Sequence, residues 1–179
     1  MNGPLARRYA AALADVAIEQ NNSEAVKSGF ASFVDAFFES DDLRNFLGSP
    51  GLDAEAKRSV IEKIAERMNV SLAVRNFIWI IVDHRRTEML REIEAAFREE
   101  LNARLGIAEA EVTSARSLND GERRELTAAL ERRTGKKIEA TFREDKDLLG
   151  GAMVRVGSTI YDGSVREQLA RLRAELEME

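Results

Sequence analysis

The chain has 179 residues, of which 44% are hydrophobic and 33% charged, and its formal net charge is −5. This composition is typical of one large or two small globular domains, and the acidic balance disfavours nucleic-acid binding. The lack of cysteine excludes disulfides and thiolate metal sites, and no apolar run exceeds six residues, whereas a membrane span needs about 20. The N-terminus shows neither an apolar signal core nor a serine-rich transit segment, so we expect a protein made and kept in the cytoplasm.

Apolar residues recur at helical spacing through residues 1–105, and the short links between the repeats predict a six-helix bundle. The first helix, predicted over residues 4–20, has two apolar surfaces. One is a stripe that includes Tyr9 and Ala12, and the other is a row of alanines that permits close helix packing. The second helix carries a face rich in phenylalanine, which predicts a position in the core.

The boundaries of the following helices are marked by capping and breaking residues. Asp41 and Asp42 are predicted to cap a short third helix, and Asp53 is predicted to cap the fourth. The sixth helix is predicted to point Leu105 inward and to end at Gly106, because glycine tolerates the left-handed conformation that closes many helices. We therefore place a domain boundary near Gly106, at the end of the helical bundle.

The fifth helix contains six consecutive apolar residues, and a helix that is apolar on all sides must be buried or must bind a partner. Ser71 is its predicted N-cap. At about 100° per residue, one face is purely apolar and predicts core packing by Val74, Phe77, Ile78 and Ile81. The opposite face mixes apolar and polar residues, as protein interfaces do, and consists of Leu72, Asn76, Trp79, Ile80 and Asp83. For Trp79 the alternative is packing beneath a neighbouring helix.

The period changes after Gly106, where apolar and polar residues alternate as in strands. Residues 106–179 therefore predict a small α/β domain, whose strands are centred on Ala110, Ala140, Val154 and Ile160. Asn119 and Glu122 form a capping box for the helix between the first two strands. A last helix follows Ser164 and carries a narrow apolar stripe of Val165, Leu169, Leu172 and Leu176. The fold class predicted for the whole chain is α+β, mainly α.

No constellation of residues supports catalysis, a cofactor or a metal ion. His84 is the only histidine and is predicted to end the fifth helix, where an imidazolium suits the helix dipole. Gly150-Gly151 lacks the lysine and hydroxyl residue of a phosphate loop, so we interpret it as a tight turn before a strand. The acidic segment Glu144–Asp147 lacks the spacing of a calcium hand and is interpreted as a solvated turn.

The order of these features and several short motifs resemble the delta subunit of F-type ATP synthases, the family that includes the oligomycin-sensitivity-conferring protein of mitochondria. The resemblance begins at Ala6-Arg7-Arg8-Tyr9-Ala10 and continues through Phe46-Leu47-Gly48-Ser49-Pro50, Asn76-Phe77 and Arg85-Arg86. It is strongest in Asp147-Leu-Leu-Gly-Gly-Ala-Met-Val-Arg-Val-Gly157 and in Tyr161-Asp-Gly-Ser-Val-Arg-Glu-Gln-Leu169, where a glycine pattern runs into a capped helix.

The resemblance implies a non-catalytic subunit of the peripheral stalk, which holds the catalytic head still against the rotor during proton-driven ATP synthesis. It implies that the N-terminal helix of an alpha subunit lies in a groove between the first and fifth helices, and that the C-terminal domain meets the b-type stalk subunits. By position it points to Tyr9, Ala12, Asn76 and Ile80. Trp79 rests on the angular count alone. The stripe from Val165 to Leu176 is a candidate for stalk contact or for packing within its own domain.

The resemblance also implies no cofactor, no nucleic acid, and membrane association only through the complex, on the cytoplasmic side of a bacterial inner membrane. The bacterial expectation follows from the lack of a transit segment. The alternative class of function is a stand-alone helical adaptor or an RNA-associated helical bundle, which the acidic charge balance disfavours.

Overall fold

The computed structural model describes residues 3–145, 148, 150–157 and 159–163 of the chain. The chain divides into two compact units between Leu101 and Asn102, a few residues before the Gly106 at which the sequence predicts a boundary. The first unit is helical, and the second contains a four-stranded sheet. The predicted fold class, α+β and mainly α, is confirmed.

Six α-helices and one short 3₁₀ helix follow one another along the first part of the described chain. They are α1 (Pro4–Glu19), α2 (Ser23–Glu39), α3 (Asp41–Gly48), α4 (Ala54–Arg67), α5 (Leu72–Asp83), a 3₁₀ helix (Thr87–Met89) and α6 (Leu90–Leu105). They lie within a few residues of their predicted positions, because the apolar stripes that predict helices are also the faces that pack. None of the helices in the described part of the chain is both long and apolar enough to cross a membrane.

Side chains cap two of these helices, α5 and α3, and the cap of α3 differs from its prediction. Ser71 caps α5 as predicted, since its Oγ accepts a hydrogen bond from a backbone N–H at 3.4 Å. The cap of α3 is Ser40 and not Asp41 or Asp42, because Ser40 Oγ accepts a hydrogen bond from the Leu43 N–H at 3.2 Å. Both aspartates lie inside the first turn of α3, where their charge favours the helix N-terminus.

A further predicted cap is confirmed in position only, and one predicted side-chain orientation is wrong. Asp53 occupies the N-cap position of α4, but its side chain accepts no hydrogen bond from that helix. Leu105, predicted to point inward, is 43% exposed, whereas Leu101 is buried. Four residues turn the helix by slightly more than one full turn, so the apolar stripe drifts away from the buried face by the last turn of α6.

The core of the first unit combines aromatic rings with small residues that let helices approach closely. The alanine row of α1 is buried, and the stripe beside it stays partly open. Phe30 of α2 lies at the centre of this core. Its ring meets Phe77 edge-on with 5.3 Å between centroids, and meets Phe97 at 6.1 Å. The predicted core face of α5 is buried, and its members are Val74, Phe77, Ile78 and Ile81.

The second unit contains β1 (Ile107–Ser114), α7 (Asp120–Thr134), β2 (Lys137–Glu144), β3 (Ala152–Val156) and β4 (Thr159–Asp162). The sheet has the order β2-β1-β3-β4, in which β1 and β2 are parallel and connected through α7, while the other pairs are antiparallel. The core between α7 and the sheet consists of Ala110, Val112, Leu130, Ile138 and Val154. The predicted strands and the capping box of Asn119 and Glu122 are present. The predicted last helix, with Val165, Leu169, Leu172 and Leu176, lies outside the described residues.

Candidate partner-binding surface

Helix α5 has one buried and one exposed face, as its angular pattern predicts. Leu72 is 67% exposed and Ile80 is 44% exposed, and both Asn76 and Asp83 are exposed beside them. The opposite face of the helix belongs to the hydrophobic core of the first unit. Two large aliphatic side chains, about two helical turns apart on one face, therefore stay in contact with water.

Helix α1 lies against α5. The Tyr9 ring meets the Phe77 ring edge-on, with 6.2 Å between the two centroids. Tyr9 is partly buried, and Ala12, about one turn later, is exposed. The predicted partner-binding residues thus belong to two neighbouring helices. We define the α1/α5 surface by the residues at its open face, Tyr9, Ala12, Leu72, Asn76, Ile80 and Asp83, and treat Trp79 separately because it packs against the core.

Two contacts show how α1 runs along α5. The guanidinium carbon of Arg86 lies 5.9 Å from the centroid of the Tyr9 ring. The Gly3 N–H, directly before α1, donates a hydrogen bond to the Glu92 carboxylate near the start of α6. The first half of α1 therefore lies at the end of the surface where α5 finishes, and Leu72 marks the opposite end of α5.

Trp79 is less exposed than the angular count predicts. It is half-buried and packs against the hydrophobic core. The Arg58 guanidinium of α4 lies 5.8 Å from the centroid of its ring, and Arg58 Nε donates a hydrogen bond to Glu62 at 3.3 Å. The long indole thus reaches along the side of α5 toward α4, whereas Asn76 and Ile80 are exposed.

The other residues that the sequence analysis considered for chemistry lie at the end of a helix or in a turn. His84 is the exposed C-cap residue of α5, and its Nδ1 lies 2.8 Å from the Ile80 carbonyl oxygen. Gly150 and Gly151 have positive φ values of 157° and 83° and lead into β3. Asp147 of the acidic segment lies outside the described residues. Within the part of the chain that the structure describes, no group of three or more His, Cys, Asp or Glu residues could hold a metal ion.

A charged network on the exposed face of the sheet is not apparent from the sequence. Glu111 of β1 accepts a hydrogen bond from Arg155 of β3 at 2.5 Å, and its other carboxylate oxygen pairs with Arg143 of β2 at 3.1 Å. The hydrogen bond from Arg155, followed by the charge of Arg143, lowers the pKa of Glu111. Alternation along β1 predicts only that Glu111 is exposed, because its partners depend on the register of three strands.

The sequence matches a family model, that of the ATP synthase delta (OSCP) subunit, over residues 5–176. The ATP synthase subunit delta of Acidobacterium capsulatum is 38% identical over 172 residues, which cover 96% of this chain and 96% of that protein. The subunit delta of Koribacter versatilis is 36% identical over 171 residues, which cover 94% of this chain and 95% of that protein. In fold, a chain from the Toxoplasma gondii mitochondrial ATP synthase hexamer matches with a TM-score of 0.64 and 26% identity, over 97% of this chain and 98% of that one. The chain therefore belongs to the ATP synthase delta (OSCP) subunit family, whose members are structural, non-catalytic components of the peripheral stalk of F-type ATP synthases.

Proposed function

We propose that this chain joins the catalytic head of an F-type ATP synthase to the membrane-anchored b-type stalk subunits, and so supports proton-driven ATP synthesis. The observation that carries the proposal is the exposed face of α5, which presents Leu72 and Ile80 among polar residues beside α1, in a chain of the delta family. The role requires no chemistry. It requires that the subunit stay bound to both partners while the rotor applies torque to the head.

The partner proposed for the α1/α5 surface is the N-terminal helix of an alpha subunit. An amphipathic helix in a groove between two helices buries its apolar face against residues at helical spacing. Leu72, Asn76 and Ile80 follow one another at intervals of four residues along α5, so one straight partner helix can contact all three. The proposed contact set is Tyr9, Ala12, Leu72, Asn76, Trp79, Ile80 and Asp83.

The binding free energy required between the α1/α5 surface and its partner helix indicates which residue to test first. A lasting attachment needs nanomolar affinity, which corresponds to roughly −12 kcal/mol. A few anchor side chains usually supply much of such an energy, at about 2 kcal/mol or more each. Ile80 is the best candidate for an anchor, because it is a large aliphatic side chain, 44% exposed, on the open face of α5.

For the second unit we propose contact with the b-type stalk subunits. The support is the family membership and the narrow apolar stripe from Val165 to Leu176, whose near-heptad spacing suits packing against a helical partner. In this arrangement the protein lies on the cytoplasmic side of a bacterial inner membrane. It associates with that membrane only through the complex.

The substitution Ile80→Asp tests the α1/α5 surface. Desolvating a carboxylate against an apolar helix face is unfavourable, so we expect binding of a synthetic peptide of the alpha-subunit N-terminus to weaken by at least about 2 kcal/mol in calorimetry. Circular dichroism should stay helical, because the buried face of α5 is unchanged, and Tm should fall only modestly, because a carboxylate in the last turn of α5 opposes the helix dipole. Leu52→Asp is the matched control, since Leu52 is 40% exposed in the segment between α3 and α4. Equal affinities of the Ile80→Asp variant and the unaltered chain would refute the proposed surface.

A further inference from the structure

We propose that Arg86 binds a carboxylate of the helix that docks on the α1/α5 surface, and that this ion pair sets the direction of the docked helix. The inference rests on the docking proposed above and adds a requirement to it. The partner helix must carry an acidic residue near the end that meets Arg86.

Arg86 is a partly buried cation at the edge of the surface. Its guanidinium carbon lies 5.9 Å from the centroid of the Tyr9 ring, and that ring packs edge-on against Phe77. The Arg86 Nε is buried and has no hydrogen-bond partner among the described residues. An aromatic face attracts a guanidinium and helps to hold it in place, but it offers the N–H donors no oxygen acceptor of its own.

Arg86 differs in this respect from two other arginines of the first unit. Arg44 pairs with Asp41, and Arg58 pairs with Glu62. Among the described residues, no carboxylate pairs with Arg86. Arg86 as a whole is only partly buried, so a partner that brings a carboxylate can form a charge-assisted hydrogen bond with the outer N–H groups of its guanidinium.

The position of Arg86 relative to Leu72 gives the surface two different ends. Arg86 follows the C-terminal end of α5 and lies beside Tyr9, which belongs to the first half of α1. Leu72 is the first residue of α5 and is 67% exposed. The 12 residues of α5 span about 18 Å, or about three helical turns. The end of the surface at Arg86 therefore favours an acidic residue of the partner helix, and the end at Leu72 favours an apolar one. A helix docked in reverse would place an apolar residue on Arg86 and leave the cation unpaired.

The test is a double-substitution cycle between the full-length chain and a synthetic peptide matching the alpha-subunit N-terminus of the same synthase. Each Asp or Glu of the peptide is replaced in turn by Asn or Gln, and Kd is measured by calorimetry at low salt. We expect one replacement to raise Kd about tenfold or more, because it leaves the partly buried guanidinium uncompensated. The Arg86→Gln variant should bind the unaltered peptide about as weakly as the unaltered chain binds the replaced peptide. With that variant, the same peptide replacement should change Kd by less than about twofold.

Two control variants separate ion pairing from general effects on the fold. Arg91→Gln removes a guanidinium that lies 4.4 Å from the centroid of the Phe38 ring, between α6 and α2, and should leave Kd unchanged. Arg86→Lys keeps the charge but loses the planar pair of donors, so it should give an intermediate Kd. Circular dichroism and Tm of every variant identify any loss of folding.

Three outcomes decide the inference. If Arg86→Gln fails to fold, Arg86→Lys takes its place in the cycle, and the same peptide replacement should then change Kd less than it does with the unaltered chain. A peptide that binds the unaltered chain tightly, yet loses less than about twofold in Kd with every acidic replacement, would overturn the role of Arg86 and leave the docking proposal standing. A peptide that does not bind the unaltered chain at all would overturn both.

Discussion

Among single residues, Lys57 is a buried cation that the helical pattern of α4 does not explain. Only 8% of its surface is exposed, and its Nζ donates hydrogen bonds to the Leu47 carbonyl at 3.0 Å and to the Ser49 carbonyl at 2.5 Å. Both oxygens lie at the end of α3, where a helix leaves carbonyl groups without partners. A lysine satisfies them and places its charge at the favourable end of the helix dipole. Lys57 thus joins the first turn of α4 to the end of α3.

Replacing Lys57 by methionine keeps most of the side-chain volume and removes both hydrogen bonds. We expect Lys57→Met to lower the free energy of unfolding by about 1–3 kcal/mol, because two carbonyls in a largely buried site lose their donor. Urea unfolding followed by circular dichroism measures the change. Lys63→Met is the control, because Lys63 is exposed on the same helix. Equal unfolding midpoints for the two variants would contradict a capping role for Lys57.

Among the elements, helix α7 begins with a reciprocal cap that is tied to the preceding loop. The Glu122 N–H donates to Asn119 Oδ1, and the Asn119 N–H donates to the Glu122 carboxylate, each at 3.0 Å. The Arg116 guanidinium donates to the same carboxylate at 2.5 and 2.9 Å. The hydrogen bond from Arg116, followed by the backbone hydrogen bond from Asn119, lowers the pKa of Glu122 to about 2.

The lowered pKa of Glu122 makes the start of α7 sensitive to acid. The folded chain favours the charged carboxylate, so this stabilisation is complete above the ordinary pKa of 4.5 and is lost as the pH falls toward about 2. In carboxyl-selective NMR we expect Glu122 to titrate with a midpoint of about 2. Arg116→Gln should move that midpoint up toward 4.5, because it removes the largest cause of the shift. A midpoint near 4.5 in the unaltered chain would show that the pair does not form in solution.

At the scale of the whole molecule, the buried hydrophobic residues that the structure describes form two separate clusters. The larger cluster draws its members from Ala6 to Leu101, and the smaller draws its members from Ala110 to Val154. No described residue belongs to both clusters. Each unit therefore has its own source of hydrophobic stabilisation, and the α1/α5 surface is built on the larger cluster alone.

A fragment of residues 1–105 should therefore fold and keep the α1/α5 surface. We expect a helical circular dichroism spectrum and a Kd for the alpha-subunit N-terminal peptide within about threefold of the full-length value, because sites that share no partners act independently. Calorimetry on the fragment and on the full-length chain makes the comparison. Ile80→Asp in the fragment is the control and should weaken binding by the same factor as in the full chain. Loss of binding by a helical fragment would mean that the second unit contributes to the site.

Local signals account for the parts of the fold that could be predicted from the sequence. The Ser71 cap and the Asn119–Glu122 capping box each join residues three positions apart, so a short stretch of sequence is enough to predict them. The cap of α3 is just as local, but Ser40 precedes two aspartates that are equally good capping residues, and only the backbone geometry selects among them. The partners of Glu111 could not be predicted, because they come from strands far along the chain.

By itself, the sequence determined that α5 has a purely apolar face and a mixed one, because the helical period alone sorts its residues by angle. It also showed two apolar surfaces on α1 without choosing between them. The tertiary structure decided that the alanine row is buried and that Tyr9 stays partly open, since small side chains let α1 approach its neighbours. It alone placed Arg86 against Tyr9 and Arg58 over Trp79. Such pairs join distant segments, and their contacts arise from how whole helices pack, which no local period encodes.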